Sequence, residues 1–358
     1  MCIRDSHWKT WVTGGKSLDN AFRWLRADFV RPTPFLQVVR TGPDDAKYTE
    51  TISHPHQVDK AFRDAWMEFF RAGQGEDRGA AFMAAYSDFF PPSVEPSLPP
   101  IQASQLAEVV KHTKISAPGL DGWKVRELKA MPMVFWDGLA DILNAVEGGA
   151  PWPDGWLDAY MAMIPKSSGD ASPLGQRPLT LLPLPYRIWA RLRMRQLTSW
   201  LEAWARSEVF SLSGRGVSAM DAWYETALEI EEALLAGREL DIGVADIIKC
   251  FDTVDRSVLY AAMKRLGLPD WFISTYRRYH EQVRTRFSLA LGLGESWYRT
   301  NGITQGDPLS MMLLLVVFAP WPAAVRARES RPQLYADNLK VVNSACQLKL
   351  QLAVKDTK

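Results

Sequence analysis

The chain has 358 residues, of which 47% are hydrophobic and 23% charged, and its formal net charge is +1. These values are ordinary for a globular protein of one large domain or two smaller ones. A net charge this small excludes binding to nucleic acid through an overall basic field, so any such surface must come from local clusters. The three cysteines, Cys2, Cys250 and Cys346, form no C-x-x-C pair, which favours a reducing, intracellular location.

Neither a membrane segment nor a zinc site is predicted. The longest apolar run, Met311 to Trp321, is too short to span a bilayer and contains Pro320. The start lacks a signal-peptide pattern, and the histidines lack the spacing of zinc ligands. We therefore expect an intracellular protein without a membrane partner, and the pattern does not distinguish nucleus from cytoplasm.

The first hundred residues show helical patterns. An amphipathic helix is predicted over residues 21–30, and Phe62, Trp66 and Phe69 recur at helical spacing in a second helix. Prolines between residues 91 and 100 indicate a linker or boundary. The sequence thus predicts an N-terminal helical region over residues 1–100, of unknown role.

A hairpin with two cations is predicted in the middle of the chain. A short strand ends at Lys166, a Ser/Gly/Asp loop follows, and the chain resumes at Arg177-Pro178-Leu179. Arginine offers a two-pronged donor and lysine a point charge, so the pair could meet a triphosphate. The alternative is two solvated surface cations.

Two arginine clusters are candidate contacts to a phosphate backbone. Arg187, Arg191 and Arg195 recur every four residues on a predicted helix and share one stripe. A second basic cluster, with tyrosines between its members, comprises Arg277, Arg278, Arg284 and Arg286. A solvated helix face is the alternative for both clusters.

An acidic residue interrupts an apolar strand pattern. Ile242, Val244 and Ile248 alternate as in a mostly buried strand, and Asp246 falls in phase with them. A buried carboxylate is costly unless it is paired or binds a metal ion. Further on, Asp255 is predicted to be the N-cap of a helix, whereas the role of Asp252 stays open.

Two later segments contain further candidate functional residues. Gly302 and Gly306 surround Gln305 before an apolar helix, and such glycines let the backbone approach a ligand closely. Near the end of the sequence, apolar residues flank Asp337-Asn338, which predicts a short hairpin with a carboxylate at its tip.

The order of these motifs carries more information than any one of them. Pro-Gly-x-Asp-Gly (from Pro118), Ile-Pro-Lys, Arg-Pro-Leu, Asp-x4-Phe-Asp, Gly-Ile-x-Gln-Gly-x-Pro-Leu-Ser and Tyr-Ala-Asp follow one another over residues 104–345. This series resembles the reverse transcriptase of non-LTR (LINE-type) retrotransposons and is similar to group II intron enzymes. The resemblance implies an α+β right-hand polymerase fold, with fingers over residues 101–240 and a palm over residues 241–358. The antiparallel palm sheet would pack on helices, and the chain would end before a thumb.

The resemblance also implies a chemistry. Asp246 and Asp337, with Asn338, would hold two Mg²⁺ ions, for which Mn²⁺ could substitute, and would extend a DNA primer on an RNA template. Phe251 would exclude the ribose 2′-hydroxyl and so select deoxynucleoside triphosphates. Residues contacting the nucleotide would be Lys166, Arg177, Gln305 and Gly306. Residues contacting template and primer would be Arg187, Arg191, Arg195, Arg277 and Arg278.

One position departs from the family pattern. Tyr-x-Asp-Asp is usual, but Asn338 replaces the second Asp, which removes one negative charge from a site for two divalent cations. A catalytically impaired retroelement remnant that only binds nucleic acid is therefore an alternative. A viral RNA-dependent RNA polymerase is another, against which Phe251 and the Gln-Gly-Asp loop argue. An unrelated helical protein would leave the ordered motifs as coincidence.

Overall fold

The computed structural model describes residues 35–41, 44–72, 77–166, 170–205, 219–335 and 338–343, which form a mixed α+β fold as predicted. The strands are β1 (Leu36–Thr41), β2 (Lys47–Ile52), β3 (Asp158–Pro165), β4 (Gln176–Leu181), β5 (Asp241–Asp246), β6 (Arg284–Leu289), β7 (Gly292–Leu293), β8 (Trp297–Tyr298), β9 (Arg331–Tyr335) and β10 (Asn338–Asn343). The helices are α1 (Pro55–Phe70), α2 (Arg78–Tyr86), α3 (Ala103–His112), α4 (Val125–Leu128), α5 (Met133–Glu147), α6 (Leu184–Trp204), α7 (Ala219–Leu235), α8 (Cys250–Thr253), α9 (Arg256–Arg265), α10 (Asp270–Gln282), α11 (Ser310–Phe318) and α12 (Trp321–Arg326).

A three-stranded antiparallel sheet has the order β5-β10-β9. Its β9–β10 hairpin is the one predicted around Asp337-Asn338, and its register pairs Asn338 with Tyr335. The central strand β10 also pairs with β5, which is nearly a hundred residues earlier, and this pairing sets Asn338 opposite Asp246. Leu339 and Val341 of β10 lie in the main hydrophobic core, and on the opposite face Lys340 Nζ donates to Thr226 Oγ1 of α7 at 2.6 Å.

A second sheet of five strands has the order β4-β3-β6-β7, with β8 also paired to β6. Strands β3 and β4 are antiparallel, which confirms the predicted hairpin between Lys166 and Arg177. Strand β3 runs parallel to β6, which follows it only after several helices. Alternate residues of β3 are buried, namely Ala159, Met161 and Met163.

The N-terminal region is not purely helical, which corrects the prediction for residues 1–100. Strands β1 and β2 form an antiparallel hairpin before α1. Their β-branched residues, such as Val38, Val39 and Thr49, suit a strand better than a helix. The helix predicted over residues 21–30 lies outside the described residues.

A second, smaller core joins this hairpin to the five-stranded sheet. It contains Trp66 and Phe70 of α1 together with Phe287 and Trp297 of the sheet. The rings of Phe70 and Trp297 stack with their centroids 5.1 Å apart. The N-terminal hairpin and α1 are therefore packed onto the rest of the fold through aromatic side chains.

The main core is organised around α6. Trp189 is fully buried, and the rings of Tyr186 and Tyr279 stack with centroids 3.7 Å apart, which joins α6 to α10. The proline-rich segment predicted as a linker or boundary lies against the same helix, because Trp200 Nε1 donates to Ser93 Oγ at 3.0 Å. Residues 91–100 thus help to cover the core.

A buried ion pair fixes α6 against the end of α5. Arg193 is fully buried, and its Nε donates to Glu147 Oε1 at 2.7 Å while its Nη2 pairs with the other carboxylate oxygen. Trp189 Nε1 donates to the same Oε1 at 2.7 Å, and Arg193 Nη1 donates to Pro99 O at 2.9 Å. One carboxylate therefore neutralises a buried cation and orients two side chains of α6.

We expect Glu147→Ala to lower the free energy of unfolding by about 3–5 kcal/mol, because it leaves the buried Arg193 guanidinium without a counter-charge. Urea-induced unfolding followed by tryptophan fluorescence measures this change. Glu202→Ala removes an exposed carboxylate from α6 itself and should change the free energy by less than about 0.5 kcal/mol. Equal effects of the two substitutions would contradict the role of Glu147 as the counter-charge of Arg193.

Candidate active site

Asp246 lies on the exposed face of β5, so its predicted burial is wrong. Val244 and Ile248 are 69% and 75% exposed, whereas Ala245 and Ile247 pack against the main core. Because successive side chains of a strand point to opposite faces, Asp246 shares the outward face with Val244. The apolar character of Val244 and Ile248 gave the wrong face. Asp246 needs no buried partner, and a ligand can reach its carboxylate from solvent.

The strand register brings Asp246 and Asn338 together. They are directly opposed in the antiparallel β5–β10 pair, and both are exposed. Side chains opposed in this way have Cβ atoms roughly 4.5–5.5 Å apart. Asp337, the other predicted ligand, lies outside the described residues. The register nevertheless confirms that the strand and the hairpin, distant in sequence, meet at this edge.

The oxygen atoms of Asp246 and Asn338 are ligands that suit a hard cation. Asp246 offers carboxylate oxygens and Asn338 an amide oxygen, which are the ligand types that Mg²⁺ prefers. Within the ranges that the structure describes, no group of three or more His, Cys, Asp or Glu side chains could hold a metal ion. The metal site at Asp246, Asp337 and Asn338 therefore stays a prediction.

A tight turn follows β5 and places the next motif residues. Lys249 adopts the left-handed conformation (φ 51°, ψ 41°), and Cys250 N donates to Ile247 O at 3.2 Å. The chain then enters the short helix α8. Its Phe251 is partly buried against the main core, and its Asp252 is fully buried.

Asp252, whose role the sequence left open, positions Gln305. Its Oδ1 accepts a hydrogen bond from Arg299 Nη2 at 2.8 Å, and its Oδ2 accepts one from Gln305 Nε2 at 2.7 Å. Burial raises the pKa of the Asp252 carboxyl, and the Arg299 guanidinium opposes this shift. Burial likewise lowers the pKa of Arg299. The Asp252–Arg299 pair is therefore a desolvated contact, and its carboxylate also fixes the side-chain amide of Gln305.

The glycines beside Gln305 approach the protein's own backbone, and their predicted approach to a ligand stays a prediction. Gly302 has φ +80°, and a Cβ there would lie 2.8 Å from Phe251 O. Gly306 has φ +106°, and a Cβ there would collide with Thr180 O. Backbone hydrogen bonds from Ile303 N to Phe251 O (2.7 Å) and from Thr180 N to Gln305 O (2.8 Å) complete the contact. The loop thus joins α8 to strand β4.

A buried polar network behind this loop was not predicted. Asp307 Oδ2 accepts from Tyr186 Oη at 2.8 Å and lies 2.9 Å from His280 Nε2. His280 Nδ1 lies 3.3 Å from Thr304 Oγ1. Burial lowers the pKa of His280 and so favours a neutral imidazole, whereas Asp307 acts in the opposite direction. The only sequence signal was Asp307 ahead of an apolar helix, where its Oδ1 accepts from Leu309 N at 2.9 Å.

The cations of the β3–β4 hairpin are exposed. Arg177 pairs in register with Ile164, and Lys166 follows the end of β3 with its backbone N donating to Gly175 O at 2.9 Å. Both side chains therefore belong to one end of one hairpin, as predicted. Lys249, which the sequence analysis did not single out, reaches the same end, because its Nζ donates to Leu174 O at 2.7 Å.

The arginine stripe on α6 is not a solvated face. Arg187 is buried, and its guanidinium donates to Ala117 O at 3.0 Å and Ser116 Oγ at 3.2 Å. Arg191 is half-buried beside Thr113, and only Arg195 is exposed. Arg187 therefore orients the Pro-Gly-x-Asp-Gly loop, which corrects its predicted contact with a phosphate backbone.

The second arginine cluster is also largely engaged within the protein. Arg278 donates to the carbonyls of Val146, Gly149 and Ala150 at the end of α5, a contact typical of helix C-termini. Arg284 and Arg286 both pair with Asp158. Arg277 is exposed and forms an ion pair with Glu281 at 2.8 Å. Arg278 is thus a structural residue, contrary to its predicted role, and Arg277 stays a candidate contact.

No helix in the described ranges is both long and apolar enough to cross a membrane.

No family model matches the chain. Known proteins do match it. It is 26% identical over 227 residues to a retrovirus-related Pol polyprotein from type-1 retrotransposable element R2 of Popillia japonica. The match covers 61% of the chain and 30% of that protein. The chain is related to non-LTR retrotransposon proteins. The corresponding R2 protein of Nasonia vitripennis is 26% identical over 219 residues, covering 60% of the chain and 20% of that protein.

A third relative carries an activity in its name. The probable RNA-directed DNA polymerase from transposon BS of Drosophila melanogaster is 26% identical over 264 residues, covering 70% of the chain and 28% of that protein. The chain thus spans less than a third of the length of each of these relatives. The resemblance to non-LTR retrotransposon proteins is confirmed, and the likeness to group II intron enzymes stays a prediction.

We expect Asp252→Ala to lower the free energy of unfolding by about 3–5 kcal/mol, because Arg299 then stays buried without a counter-charge. Denaturant unfolding at neutral pH measures the change. Asp270→Ala, which removes an exposed carboxylate at the start of α10, is the matched control and should change it by less than about 0.5 kcal/mol. A change below about 1 kcal/mol for Asp252→Ala would show that the pair is dispensable.

Proposed function

We propose that this chain is the catalytic core of an RNA-directed DNA polymerase of a retroelement, which extends a DNA primer on an RNA template. The observation that carries the proposal is the β5–β10 register, which sets Asn338, the residue after Asp337, opposite Asp246. This register brings a carboxylate and an amide oxygen to adjacent, exposed positions, which a shared site for a hard cation would require. The name of the transposon BS relative supports the same activity.

In this proposal the three-stranded sheet is the palm, within residues 241–358, and the β3–β4 hairpin belongs to fingers within residues 101–240. One face of the palm sheet packs on the main core. The other face is partly covered by α7, where Lys340 Nζ donates to Thr226 Oγ1 at 2.6 Å, and it leaves Asp246 and Asn338 exposed, as a surface that receives a primer end requires. The loop at Gln305 contacts both parts, because it is bonded to α8 and to β4. A template base and an incoming nucleotide would meet above this loop.

Two Mg²⁺ ions, or Mn²⁺, would be held by Asp246, Asp337 and Asn338. Bound there, the ions would supply the positive charge that stabilises the attacking and leaving oxygens of nucleotidyl transfer. The chain's own side chains would orient the nucleotide. Lys166 and Arg177 would neutralise the triphosphate, and Phe251 would exclude a ribose 2′-hydroxyl.

A second candidate function is a retroelement remnant that binds nucleic acid without extending it. The specific observation in its favour is Asn338, since an amide oxygen provides less charge than a carboxylate to a site for two dications. The two functions differ in whether the chain incorporates deoxynucleotides at all. A viral RNA-dependent RNA polymerase would incorporate ribonucleotides instead.

We expect the chain to extend a DNA primer on an RNA template with Mg²⁺ and deoxynucleotides, and Asp246→Ala to reduce the rate by roughly 10²–10³-fold or more. Primer extension resolved on a gel measures the rate. Asp270→Ala serves again as the control and should leave the rate unchanged. Extension by Asp246→Ala at the parental rate would contradict the metal-ligand assignment, and no incorporation by the parent would favour the remnant.

We expect Asn338→Asp to raise the extension rate by about tenfold or more, because one further charge about 4 Å from a cation is worth several kcal/mol even at an effective dielectric constant near 20. The same substitution should lower the Mg²⁺ concentration that gives half-maximal rate. An unchanged rate and an unchanged Mg²⁺ dependence would show that the amide serves as well as a carboxylate.

We expect Phe251→Val to lower the preference for deoxynucleotides over ribonucleotides by roughly 10–200-fold, the range that shape discrimination provides. The ratio of kcat/KM for the two nucleotide classes measures the preference. Phe318→Val is a suitable control, because Phe318 is also partly buried against the main core but lies on α11. Equal loss of preference in both variants would contradict the proposal that Phe251 excludes the ribose 2′-hydroxyl.

A further inference from the structure

Lys249 has a backbone conformation that few residues other than glycine adopt. It lies three residues after Asp246 and has φ 51° and ψ 41°, in the left-handed region. Such a conformation costs free energy, so it persists only where the surroundings fix it. The turn that contains it leads directly from the exposed carboxylate of β5 to the helix that carries Phe251.

The side chain of Lys249 is held in place from two sides. Its Nζ donates to Leu174 O at 2.7 Å and lies 4.1 Å from the centroid of the Trp66 ring. A carbonyl oxygen and an aromatic face both favour the charged ammonium. Neither contact supplies a negative charge, so the ammonium is oriented but not neutralised.

A second cation lies beside it. Lys166, at the end of β3, approaches Lys249 closely enough that burial together with this neighbour lowers the pKa of Lys249 to about 8. The carboxylates of Asp170 and Asp252 act in the opposite direction. Asp252, however, is bonded to Arg299 and Gln305, and Asp170 Oδ1 accepts from Ser172 N at 2.9 Å.

The two ammonium groups therefore repel each other at the end of the hairpin. Among the residues that the structure describes, no carboxylate lies within ion-pair distance of either of them. Two adjacent cations, of which Lys249 is held in position by Leu174 O and Trp66, suit a ligand with several negative charges on neighbouring groups. A polyphosphate has this chemistry, whereas a single carboxylate would neutralise only one of them.

We propose that Lys249 and Lys166 form a two-lysine site that binds the terminal phosphates of the incoming nucleotide. This inference rests on the proposed polymerase function and adds Lys249 to the residues that recognise its substrate. Lys249 would donate from the side of Asp246, and Lys166 from the hairpin. The same phosphates would add a second link between the turn after β5 and the hairpin, beside the hydrogen bond from Lys249 Nζ to Leu174 O.

A purely structural role for Lys249 makes different predictions. If it only held the hairpin through Leu174 O, its loss would loosen the fold without a specific effect on nucleotide affinity. Lys249→Met separates the two roles, since it keeps the aliphatic stem on Trp66 and removes the charge. Lys166→Met tests the pair from an exposed position, where a folding defect is not expected.

The experiment is steady-state primer extension by the full chain over a range of deoxynucleotide concentrations. We expect Lys249→Met and Lys166→Met each to raise KM by roughly 10- to 100-fold, the loss of one charge-assisted hydrogen bond, with a smaller change in kcat. The double substitution should fall short of the product of the single effects, because the two lysines share one ligand. Lys249→Arg should restore most of the affinity. Lys264→Met, which removes an exposed lysine of α9 paired with Asp270, is the control and should leave KM unchanged.

Calorimetric titration with inorganic tripolyphosphate provides a measurement that needs no catalysis. Binding to the parent that weakens in both lysine variants supports the site, even if the chain extends no primer and the polymerase proposal fails. An active parent with unchanged KM in both variants overturns the two-lysine site and leaves the polymerase proposal standing. Weakened primer–template binding at unchanged KM also overturns it, since the lysines would then contact the nucleic-acid backbone.

Discussion

The ion pair between Asp252 and Arg299 is the interaction on which the rest of the site depends. Both side chains are buried, and each would be costly to bury alone. The second oxygen of Asp252 holds Gln305, and Arg299 Nε donates to Asn301 O at 2.7 Å at the start of the same loop. Arg256 adds a third contact by donating from its Nε to Gly302 O at 3.1 Å. Side chains from α8 and α9, together with Arg299, thus determine where a single loop lies.

This loop also connects the two sheets. Its backbone is bonded to α8 on one side and to β4 on the other, and Lys249 makes a separate contact from the end of β5 to the β3–β4 hairpin. The exposed Asp246 and the cationic β3–β4 hairpin thus lie on either side of the loop at Gln305. In the proposed site the chemistry would come from exposed residues, whereas buried polar residues behind them fix the position of the loop.

Local patterns predicted much of this architecture. Asp255 is an N-cap whose Oδ1 accepts from Ser257 N at 2.8 Å, and both predicted hairpins are present, because capping and turn chemistry act over a few residues. The exposed face of β5 was predicted wrongly, because apolar side chains usually mark a buried face, whereas Val244 and Ile248 are exposed.

The roles of Arg187 and Arg278 were also missed. In a sequence, an arginine that binds carbonyls within the fold cannot be told from one that binds phosphate. Similarly, the partners of Gly302 and Gly306 are distant in sequence, and no local rule identifies them. The buried network of His280 and Asp307 depends on three separate segments. Its only local signal was the position of Asp307 before α11.

The packing of α1 has a consequence for synthesis of the chain. Thr300 N donates to Phe70 O at 3.1 Å, and these residues are 230 positions apart. A ribosome adds roughly 5–20 residues per second, so the aromatic face of α1 waits on the order of ten to fifty seconds for its partners. Phe70 therefore lacks its stacking partner on the nascent chain until Trp297 has emerged. Chaperones that bind exposed aromatic segments would have that interval in which to act on the N-terminal part.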